Sequence, residues 1–509
     1  MDTELRRETD PGRETAFQRE PFESMTPVFD GAASRELTED CVVPDTMPDV
    51  DAVTDAEGVL TVRGKETETD AVRITASLAV TVLYAPEGGE GLRSIELTLP
   101  AELRLDAPGA DADCVTVASL RVRSVEARAV NSRKISVRAE VEAAARCYRR
   151  VTTELAAGLA DDGDGAHILC ETAETLPVAD VREKTFALTD EYQLPAGADG
   201  GILSRRVEAV VDDVSQAGGK AVFHGRVRSE LLLSGEDGVV RPARYETEFS
   251  QIMETGVTDG EARPGVTLLM TGAYFDPPEF GGRGKLQAEF HLAAQCVCRV
   301  PRTVTYVADV YSNRTELVAE TCSLSAVTDV RPVSMRQTVA GQASPAADGE
   351  IVRAAASVGG VTVEDGAVKT NVSVRLLTRR GDGTYTAAKC RLPAEFTLSG
   401  ADAGAALSDV SVTAADVFAS PAGGGADVRV TLTMTALAVT ERTITAVRAA
   451  VGDDAAFAAR ERSPSFTLTR VPAGTPLWPV ARRCRSSVEA IAAANDGRRD
   501  GLLLIPKCR

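Results

Sequence analysis

The sequence predicts a mainly β protein, in which antiparallel sandwich-like or barrel-like units are repeated in tandem and followed by a small βααβ domain. The first observation is the alternation of apolar and polar residues across Val72–Glu102, broken once by glycines, which is typical of a β-hairpin with one buried face. The second is that related patterns return at Lys220–Gln251 and Ala367–Phe396. The third is that helical periodicity is almost absent before Phe466.

The recurring hairpin divides the chain into three β units. Each unit contains several short strands separated by turn signals at about 8–12-residue spacing, as in a sandwich or open barrel. Gly158–Gly165 is rich in glycine and aspartate but lacks the EF-hand spacing of a calcium loop, so a solvated linker is the favoured interpretation. The predicted organisation is a disordered tail over 1–20, β units over 21–152, 171–300 and 301–452, linkers over 153–170 and 453–465, and the small domain over 466–509.

Two short segments of the first unit have distinctive sequences. Val42–Val50 contains two prolines, each of which fixes its own φ and disfavours helical geometry in the residue before it, so a rigid extended connector is expected. Asn131–Lys134 lies between two predicted strands and is interpreted as a solvated hairpin turn, with a binding loop as the alternative.

The charge balance disfavours a nucleic-acid partner. Lysine and arginine total 56 against 75 acidic residues, a formal charge of −19, whereas neutralising phosphates requires a basic surface. No apolar run reaches the roughly 18 residues of a membrane span, and the N-terminal region lacks the apolar core of a signal peptide. We therefore expect a protein that stays in the cytoplasm of the cell that makes it.

Nothing in the sequence indicates an enzyme, a cofactor or a metal centre. The ten cysteines form no Cys-x-x-Cys pair, and we interpret them as small buried residues. Histidine is the commonest general base, but the only three are His167, His224 and His291, each expected to be structural. Nucleophile-elbow, Walker and Rossmann patterns are absent from the sequence, and the glycine-rich runs suit hairpin turns. We predict no catalytic, cofactor-binding or metal-binding residues.

The last part of the chain has a different pattern. Pro476 suits the first turn of a helix, and Leu477, Val480 and Cys484 follow it at helical spacing. Ser486–Glu489 has the form of a capping box, which predicts a second helix ending near Asn495. With strands at Phe466–Val471 and Leu502–Pro506, the predicted order is β-α-α-β.

This C-terminal region is also basic. Arg460–Arg509 contains 10 basic and 4 acidic residues, which leaves a formal charge of −25 on the rest of the chain. Such a segment suits an acidic protein surface or an anionic membrane, although Arg482, Arg483 and Arg485 could equally well only solvate a helix. Trp478, the only tryptophan, is either a core residue or an exposed interface anchor.

The C-terminal region resembles the LysM module. The family's Gly-Asp-Thr-Leu-Trp-x-Ile-Ala run, Thr-Val-Glu-x-Ile helix, asparagine and closing Leu-x-Ile-Pro are matched in order along the region. The matching residues are Gly474-Thr475-Pro476-Leu477-Trp478-Pro479-Val480-Ala481, Ser487-Val488-Glu489-Ala490-Ile491, Asn495 and Leu503-Leu504-Ile505-Pro506. The chain differs from many carbohydrate-binding members at Thr475-Pro476 and in the second loop, Arg498-Arg499-Asp500.

The preceding units resemble the SPOCS-domain family through several short elements in the expected order. These are Val43-Pro44-Asp45-x-x-Pro48-Asp49, Leu83-Tyr84, Leu99-Pro100, Asn131-Ser132-Arg133-Lys134 and Asp309-x-Tyr311-Ser312. SPOCS units that end in a LysM module are typical of spore-coat proteins in endospore-forming bacteria.

The resemblance implies a non-enzymatic structural and adaptor protein in the mother cell, at the forespore surface. Its implied partner is the morphogenetic ATPase of the spore coat, bound partly through the LysM-like region, with other coat proteins as further partners. The alternatives are a binder of peptidoglycan or cortex glycan and an enzyme of unrecognised fold. The residues expected to contact the partner are Leu477, Trp478, Val480, Arg482, Arg483, Arg485, Ile491 and Asn495.

Overall fold

The computed structural model of the protein describes residues 14–89, 91–160, 165–198, 200–258, 260–276, 284–344, 349–364, 366–398, 406–422, 425–453 and 464–508. These ranges form β-strands and two short α-helices, so the mainly β prediction is confirmed. Residues 17–20 of the predicted tail lie in the first strand, because they pair with the end of the sixth. The rest of that tail before residue 14, and most of the predicted linker over 453–465, lie outside the described residues.

The strands fall into three consecutive units. Unit one contains β1 (Phe17–Val42), β2 (Val50–Glu68), β3 (Ala71–Pro86), β4 (Arg93–Asp106), β5 (Val115–Asn131) and β6 (Lys134–Leu159). Unit two contains β7 (Ala166–Thr175), β8 (Val178–Gln193), β9 (Gly201–Ala217), β10 (Lys220–Ser234), β11 (Val240–Glu254), β12 (Arg263–Asp276), β13 (Lys285–Arg299) and β14 (Arg302–Ser312). Unit three contains β15 (Glu316–Ala343), β16 (Glu350–Val358), β17 (Thr362–Glu364), β18 (Ala367–Arg379), β19 (Tyr385–Thr397), β20 (Ala406–Ala422) and β21 (Gly425–Asp453).

The three units share one strand topology. In unit one the sheets have the orders β1-β6-β5 and β2-β3-β4, and every ladder is antiparallel. Unit two repeats this arrangement as β8-β13-β12 and β9-β10-β11. Unit three repeats it as β15-β21-β20 and β16-β18-β19, with the short β17 also pairing with β18. The repeated hairpin seen in the sequence is the central strand of the second sheet and its neighbour.

The core of each unit lies between its two sheets. In β3 the alternating residues from Val72 to Val82 face inward, and Ile74, Leu78 and Val80 are fully buried. The corresponding strand β10 buries Phe223 in unit two, and the neighbour of β18 buries Phe396 in unit three. The period of two that predicted these hairpins therefore also selects their buried face. All ten cysteines are free thiols, and four of them are buried.

The outer strands of each unit extend beyond its sandwich as a two-stranded ribbon. Ribbon one pairs residues 17–26 with 149–159, ribbon two pairs β7 with β14, and ribbon three pairs residues 316–327 with 441–453. In unit two the two long strands are interrupted around Pro177 and Pro301, whereas β1 and β15 continue through Pro27 and Pro332. Units one and three keep the equivalent strands continuous.

The three ribbons pack against one another. Each contains a one-residue β-bulge, at Ala157, Ala308 and Arg448. Equivalent positions in the three ribbons can therefore be identified by counting from the bulge. Leu155 of ribbon one and Tyr306 of ribbon two are buried in one apolar cluster with side chains of ribbon three. The units are therefore joined by a shared core in addition to the covalent chain.

This packing changes the interpretation of the predicted linker over 153–170. Residues 153–159 belong to β6 and residues 166–170 belong to β7, whereas 161–164 lie outside the described residues. The described residues on both sides of 161–164, Gly158 among them, are therefore strand residues and not a solvated linker. Their apolar side chains, such as Leu155 and Ile168, contribute to the core that the ribbons share.

A buried ion cluster joins units one and three. Arg375 of β18 lies 3.0 Å from Asp55 Oδ1 and 3.3 Å from Glu57 Oε1, and Arg353 of β16 contacts the same Glu57 oxygen. Ser204 of unit two donates to Glu57 Oε2 at 3.0 Å. Burial alone would raise the pKa of Glu57, but the two guanidiniums outweigh that effect and lower the pKa to about 2. Glu57 therefore stays charged in the folded protein, whereas burial raises the pKa of its neighbour Asp55.

The segment Val42–Val50 is a compact turn, not the extended connector that was predicted. The Met47 amide donates to the Pro44 carbonyl at 2.9 Å. Arg133, in the turn between β5 and β6, donates to the carbonyls of Pro44 at 3.0 Å and Met47 at 2.8 Å, and to Asp49 at 3.0 Å. These hydrogen bonds bend the segment Val42–Val50. The turn between β5 and β6 therefore has a structural role, because its Arg133 holds that segment in place.

Candidate functional site

The C-terminal module, residues 464–508, folds in the predicted β-α-α-β order. It consists of β22 (Phe466–Val471), α1 (Leu477–Cys484), α2 (Val488–Ala494) and β23 (Gly501–Pro506). The second helix forms as predicted, but its cap is Ser487 and not Ser486 of the predicted capping box: Ser487 Oγ accepts from the Ala490 amide at 3.0 Å. The first helix ends at Arg485, which has the left-handed φ of 52° that commonly stops a helix.

The module completes its core with a residue of unit two. Leu477, Val480 and Ile491 are buried against the inner face of the β22–β23 sheet. Tyr311 of β14 enters the same cluster and is 5% exposed, and its hydroxyl donates to the Ser486 carbonyl at 2.8 Å. Because an aromatic ring from ribbon two fills the module's core, the module and the body form one folded structure.

Asn495 has a structural role in the module. Its Nδ2 donates to the carbonyls of Ile491 and Leu504 at 2.7 Å each, and its Oδ1 accepts from the Leu504 amide at 2.8 Å. The side chain is 5% exposed. It joins the end of α2 to the edge of β23 and satisfies backbone groups that would otherwise be unpaired.

Asp309 is the central polar residue of the surface of ribbon two that contacts the module, hereafter called the docking surface. Its Oδ2 accepts from Trp478 Nε1 at 2.7 Å, and both carboxylate oxygens accept from Arg482 Nη1 at 2.7 Å. The Trp478 ring packs edge-on against Tyr311, with a centroid distance of 4.8 Å and an interplanar angle of 66°. Trp478 is half-buried by these contacts, so both interpretations of this tryptophan hold in part: it anchors an interface, and that interface is internal.

A second polar group lies beside Tyr311. With the Asn313 amide oriented so that both of its ends are satisfied, its Oδ1 accepts from His167 Nε2 at 2.7 Å and its Nδ2 donates to the Arg485 and Ser486 carbonyls at 3.2 and 3.3 Å. The His167 ring contacts the Tyr311 ring in a tilted arrangement, with a centroid distance of 5.1 Å and an interplanar angle of 31°. Burial lowers the pKa of His167 and raises that of Tyr311, so both side chains are neutral at pH 7.

The bulge register explains why one module docks at one ribbon. The residue immediately after the bulge is Gly158 in ribbon one, Asp309 in ribbon two and Ala449 in ribbon three. At the position two residues further on, only ribbon two has an aromatic residue, Tyr311. The three ribbons are equivalent in backbone, and ribbon two alone has the side chains that hold the module.

The structure gives most of the predicted partner-binding residues roles within the chain. Leu477, Val480, Ile491 and Asn495 are internal to the module, Trp478 and Arg482 contact ribbon two, and Arg485 is 8% exposed and lies 3.8 Å from Glu316 of ribbon three. Arg483 is the one member of the predicted set that points fully into solvent. The spacing of the helical residues identified the module's core, and that core is inaccessible to a partner.

A different surface of the module is apolar and exposed. On the outer face of the β22–β23 sheet, Phe466, Leu468 and Leu502 are 61, 60 and 65% exposed. Half-buried Leu504 lies directly opposite Leu468, and Arg470 lies opposite Leu502, so these side chains share one face. The sequence contains the signal for this face, because apolar residues occupy both alternating sets of positions in β23 and because Phe466 and Leu468 alternate with threonines in β22.

The three histidines lie in different settings. His167 belongs to the docking surface, His224 is exposed on β10, and His291 Nε2 lies 2.6 Å from Glu289 Oε1 on the outer face of unit two. The His291 ring also contacts Tyr274 edge-on at 5.5 Å.

Comparisons with protein families, with curated proteins and with solved structures found no match for this chain. Neither of the helices in the described ranges has the length and apolar run that a membrane crossing requires.

Replacing Asp309 with asparagine is expected to weaken docking of the module by about 1–3 kcal/mol, because hydrogen bonds to a charged acceptor lose that amount when the charge is removed. Hydrogen exchange of amides in residues 466–508 measures the change, since undocking exposes them. Asp500→Asn, at an exposed position of the same module, is the matched control. Unchanged protection in the Asp309 variant would contradict the assigned docking contacts.

Docking is also expected to weaken as the pH falls below about 6.5. The folded state lowers the pKa of His167, so its contribution to stability is fully present above the unfolded value and decreases as the pH falls through 6.5 toward the folded pKa. Hydrogen exchange at about pH 7.5 and pH 5.5, corrected for intrinsic rates, tests this dependence. The His167→Gln variant keeps a polar side chain near Asn313 and should show a flatter pH profile in the module.

Proposed function

We propose that this chain is a non-enzymatic structural and adaptor protein of the spore coat, which binds a coat morphogenetic ATPase at the forespore surface. The family resemblance supplies the biological setting. The observation that supports an adaptor role is the outer face of the module, where Phe466, Leu468 and Leu502 are exposed on a domain that is itself held rigidly on the body. Exposed apolar patches on otherwise polar proteins are commonly interaction sites.

The arrangement of the units supports the same proposal. Ion pairs between units one and three, and the core shared by the three ribbons, would hold the body as one scaffold. A rigid body loses little conformational entropy on binding, so a small apolar face can contribute more of its burial to affinity. The basic charge of the module would favour an acidic partner surface and reject basic ones.

The experiment measures binding of the full chain to purified coat morphogenetic ATPase, and the localisation of a fluorescent fusion in sporulating cells of the host. We expect Leu468→Ser and Leu502→Ser to reduce binding at least tenfold and to make the fusion diffuse. Phe418→Ser removes an equally exposed side chain from unit three and serves as the control, with binding unchanged. A wild-type fusion that stays diffuse, or outer-face variants that bind normally, would count against the proposal.

The glycan-binding alternative has one supporting observation. The loop residues Thr475 and Pro476, and the second loop 498–500, are exposed and are not covered by the body. Sedimentation with insoluble peptidoglycan separates the two proposals: retention that survives the outer-face substitutions but is lost on Pro476→Gly or Arg499→Ala favours glycan binding.

A further inference from the structure

A cleft of about 680 Å³ lies where the three units meet. Its walls come from β5 and β6 of unit one, β9, β12 and β13 of unit two, and β15, β20 and β21 of unit three. Most of the lining residues are apolar, and Val117, Val297, Val330 and Leu437 are among those outside the cores of the three sandwiches. Its volume falls within the range of about 300–1,000 Å³ that is usual for small-molecule sites.

Two arginines line this cleft without a carboxylate partner. Arg263 and Arg299 are directly opposite each other in the β12–β13 ladder. Like charges at such positions destabilise a sheet. Among the described residues neither arginine forms an ion pair within 4 Å, whereas a third arginine in the cleft, Arg146, binds Asp30 at 2.6 Å and Asp409 at 3.3 Å.

Among the described residues, none of the four aspartates that line the cleft forms an ion pair with Arg263 or Arg299. Asp212 is held by Arg226, outside the cleft lining, at 2.8 Å. Asp213 is exposed and, in the part of the chain that the structure describes, makes no ion pair with Arg263 or Arg299. The wall contributed by β12 and β13 therefore presents two arginines that no described carboxylate pairs, beside an apolar surface.

We propose that this cleft binds a single-chain amphiphile with an anionic head, such as a fatty acid or an alkyl phosphate. Arg263 and Arg299 hold the carboxylate or phosphate through charge-assisted hydrogen bonds, and the valine-lined walls cover the hydrocarbon chain. Binding of the anion relieves the repulsion between the two arginines. This site is distinct from the module's outer face and does not depend on the proposed function.

The test uses the fluorescent fatty acid cis-parinaric acid and the full chain. We expect saturable binding of one molecule per chain, displaced by palmitate and by hexadecyl phosphate but much more weakly by the uncharged 1-hexadecanol. The relative potency of palmitate and hexadecyl phosphate identifies the preferred head group. Arg263→Gln and Arg299→Gln should each reduce affinity about tenfold, and Arg391→Gln, at an exposed position of β19, should not change it.

A steric variant tests the position of the site independently of charge. A Cβ at Gly265 would meet only the Val297 carbonyl oxygen, at 3.9 Å, so Gly265→Phe fits the backbone and places its ring on the face that lines the cleft. It should abolish binding while leaving the unfolding midpoint close to that of the wild type. Absence of saturable binding, equal displacement by hexadecanol, or full affinity in the Phe variant would each overturn the proposal.

Discussion

Replacing Glu57 with glutamine lowers the free energy of unfolding by about 3–5 kcal/mol, the usual cost of removing one partner from a buried ion cluster. Glutamine keeps the volume of the side chain but removes the charge that Arg353 and Arg375 share. Both guanidiniums then remain buried with Asp55 as their only carboxylate among the described residues. Urea unfolding at neutral pH measures the loss as a shift in the midpoint.

Glu66→Gln is the matched control for this substitution. Glu66 is on the same strand, β2, and pairs with Arg73, but its side chain is 64% exposed, so we expect a change below about 1 kcal/mol. The contribution of Glu57 should also be lost as the pH falls from about 4.5 toward 2, because the folded state lowers the pKa of Glu57, so the stability difference between the wild type and Glu57→Gln should narrow over that range. The Glu57→Gln variant lacks that contribution. Equal losses in the free energy of unfolding for Glu57→Gln and Glu66→Gln would contradict the assignment of Glu57 to a buried ion cluster.

Replacing Tyr311 with alanine destabilises the docked module by about 3–5 kcal/mol, as expected when a large aromatic side chain is removed from a core. The substitution leaves a cavity among Leu477, Val480 and Ile491 and removes the edge contact to Trp478. Limited proteolysis that reports on residues 464–508 should show cleavage of the module in the variant while the β units stay intact.

Tyr311→Phe separates the ring from its hydroxyl. The phenylalanine keeps the packing but loses the hydrogen bond to the Ser486 carbonyl, which should cost about 1 kcal/mol. Tyr274→Ala, at a position 43% exposed on unit two, is the surface control and should leave protease resistance of the module unchanged. If the module of the Tyr311→Ala variant resists proteolysis as well as that of the wild type, the assignment of Tyr311 to the module's core is wrong.

Local signals in the sequence predict the hairpins and the module well. Apolar alternation over Val72–Glu102 predicts a strand pair and its buried face, and both are observed. The serines at 486 and 487 predict the start of a helix, although the observed cap is Ser487 and not Ser486 of the predicted capping box. Such features depend on neighbours in sequence, so periodicity and capping rules are enough to find them.

Long-range contacts account for what the sequence did not predict. Pairing of β7 with β14 joins strands on either side of the unit-two sandwich, and glycine and aspartate near Gly158 suggested a break there instead. Asp55 and Glu57 have the composition of a surface strand, and only their meeting with Arg375 from another unit makes them core residues. No local pattern encodes such a partner.

The same reason applies to the candidate site. Asp309 and Tyr311 belonged to a recognised sequence element, but nothing local indicated that they would meet Trp478. Conversely, apolar residues at helical spacing were expected to face a partner, although in a domain of this size they are needed for its own core. The exposed apolar face of the β22–β23 sheet is the surface that remains.

The most direct test of the docked module is the fluorescence of Trp478, the only tryptophan of the chain, in the presence of acrylamide. Docking predicts blue-shifted emission with restricted quenching in the full chain, because the indole packs on Tyr311 and donates to Asp309. The Tyr311→Ala variant should shift the emission to the red and raise the quenching constant several-fold. Freely quenched, red emission in the wild type, unchanged by that substitution, would contradict the account.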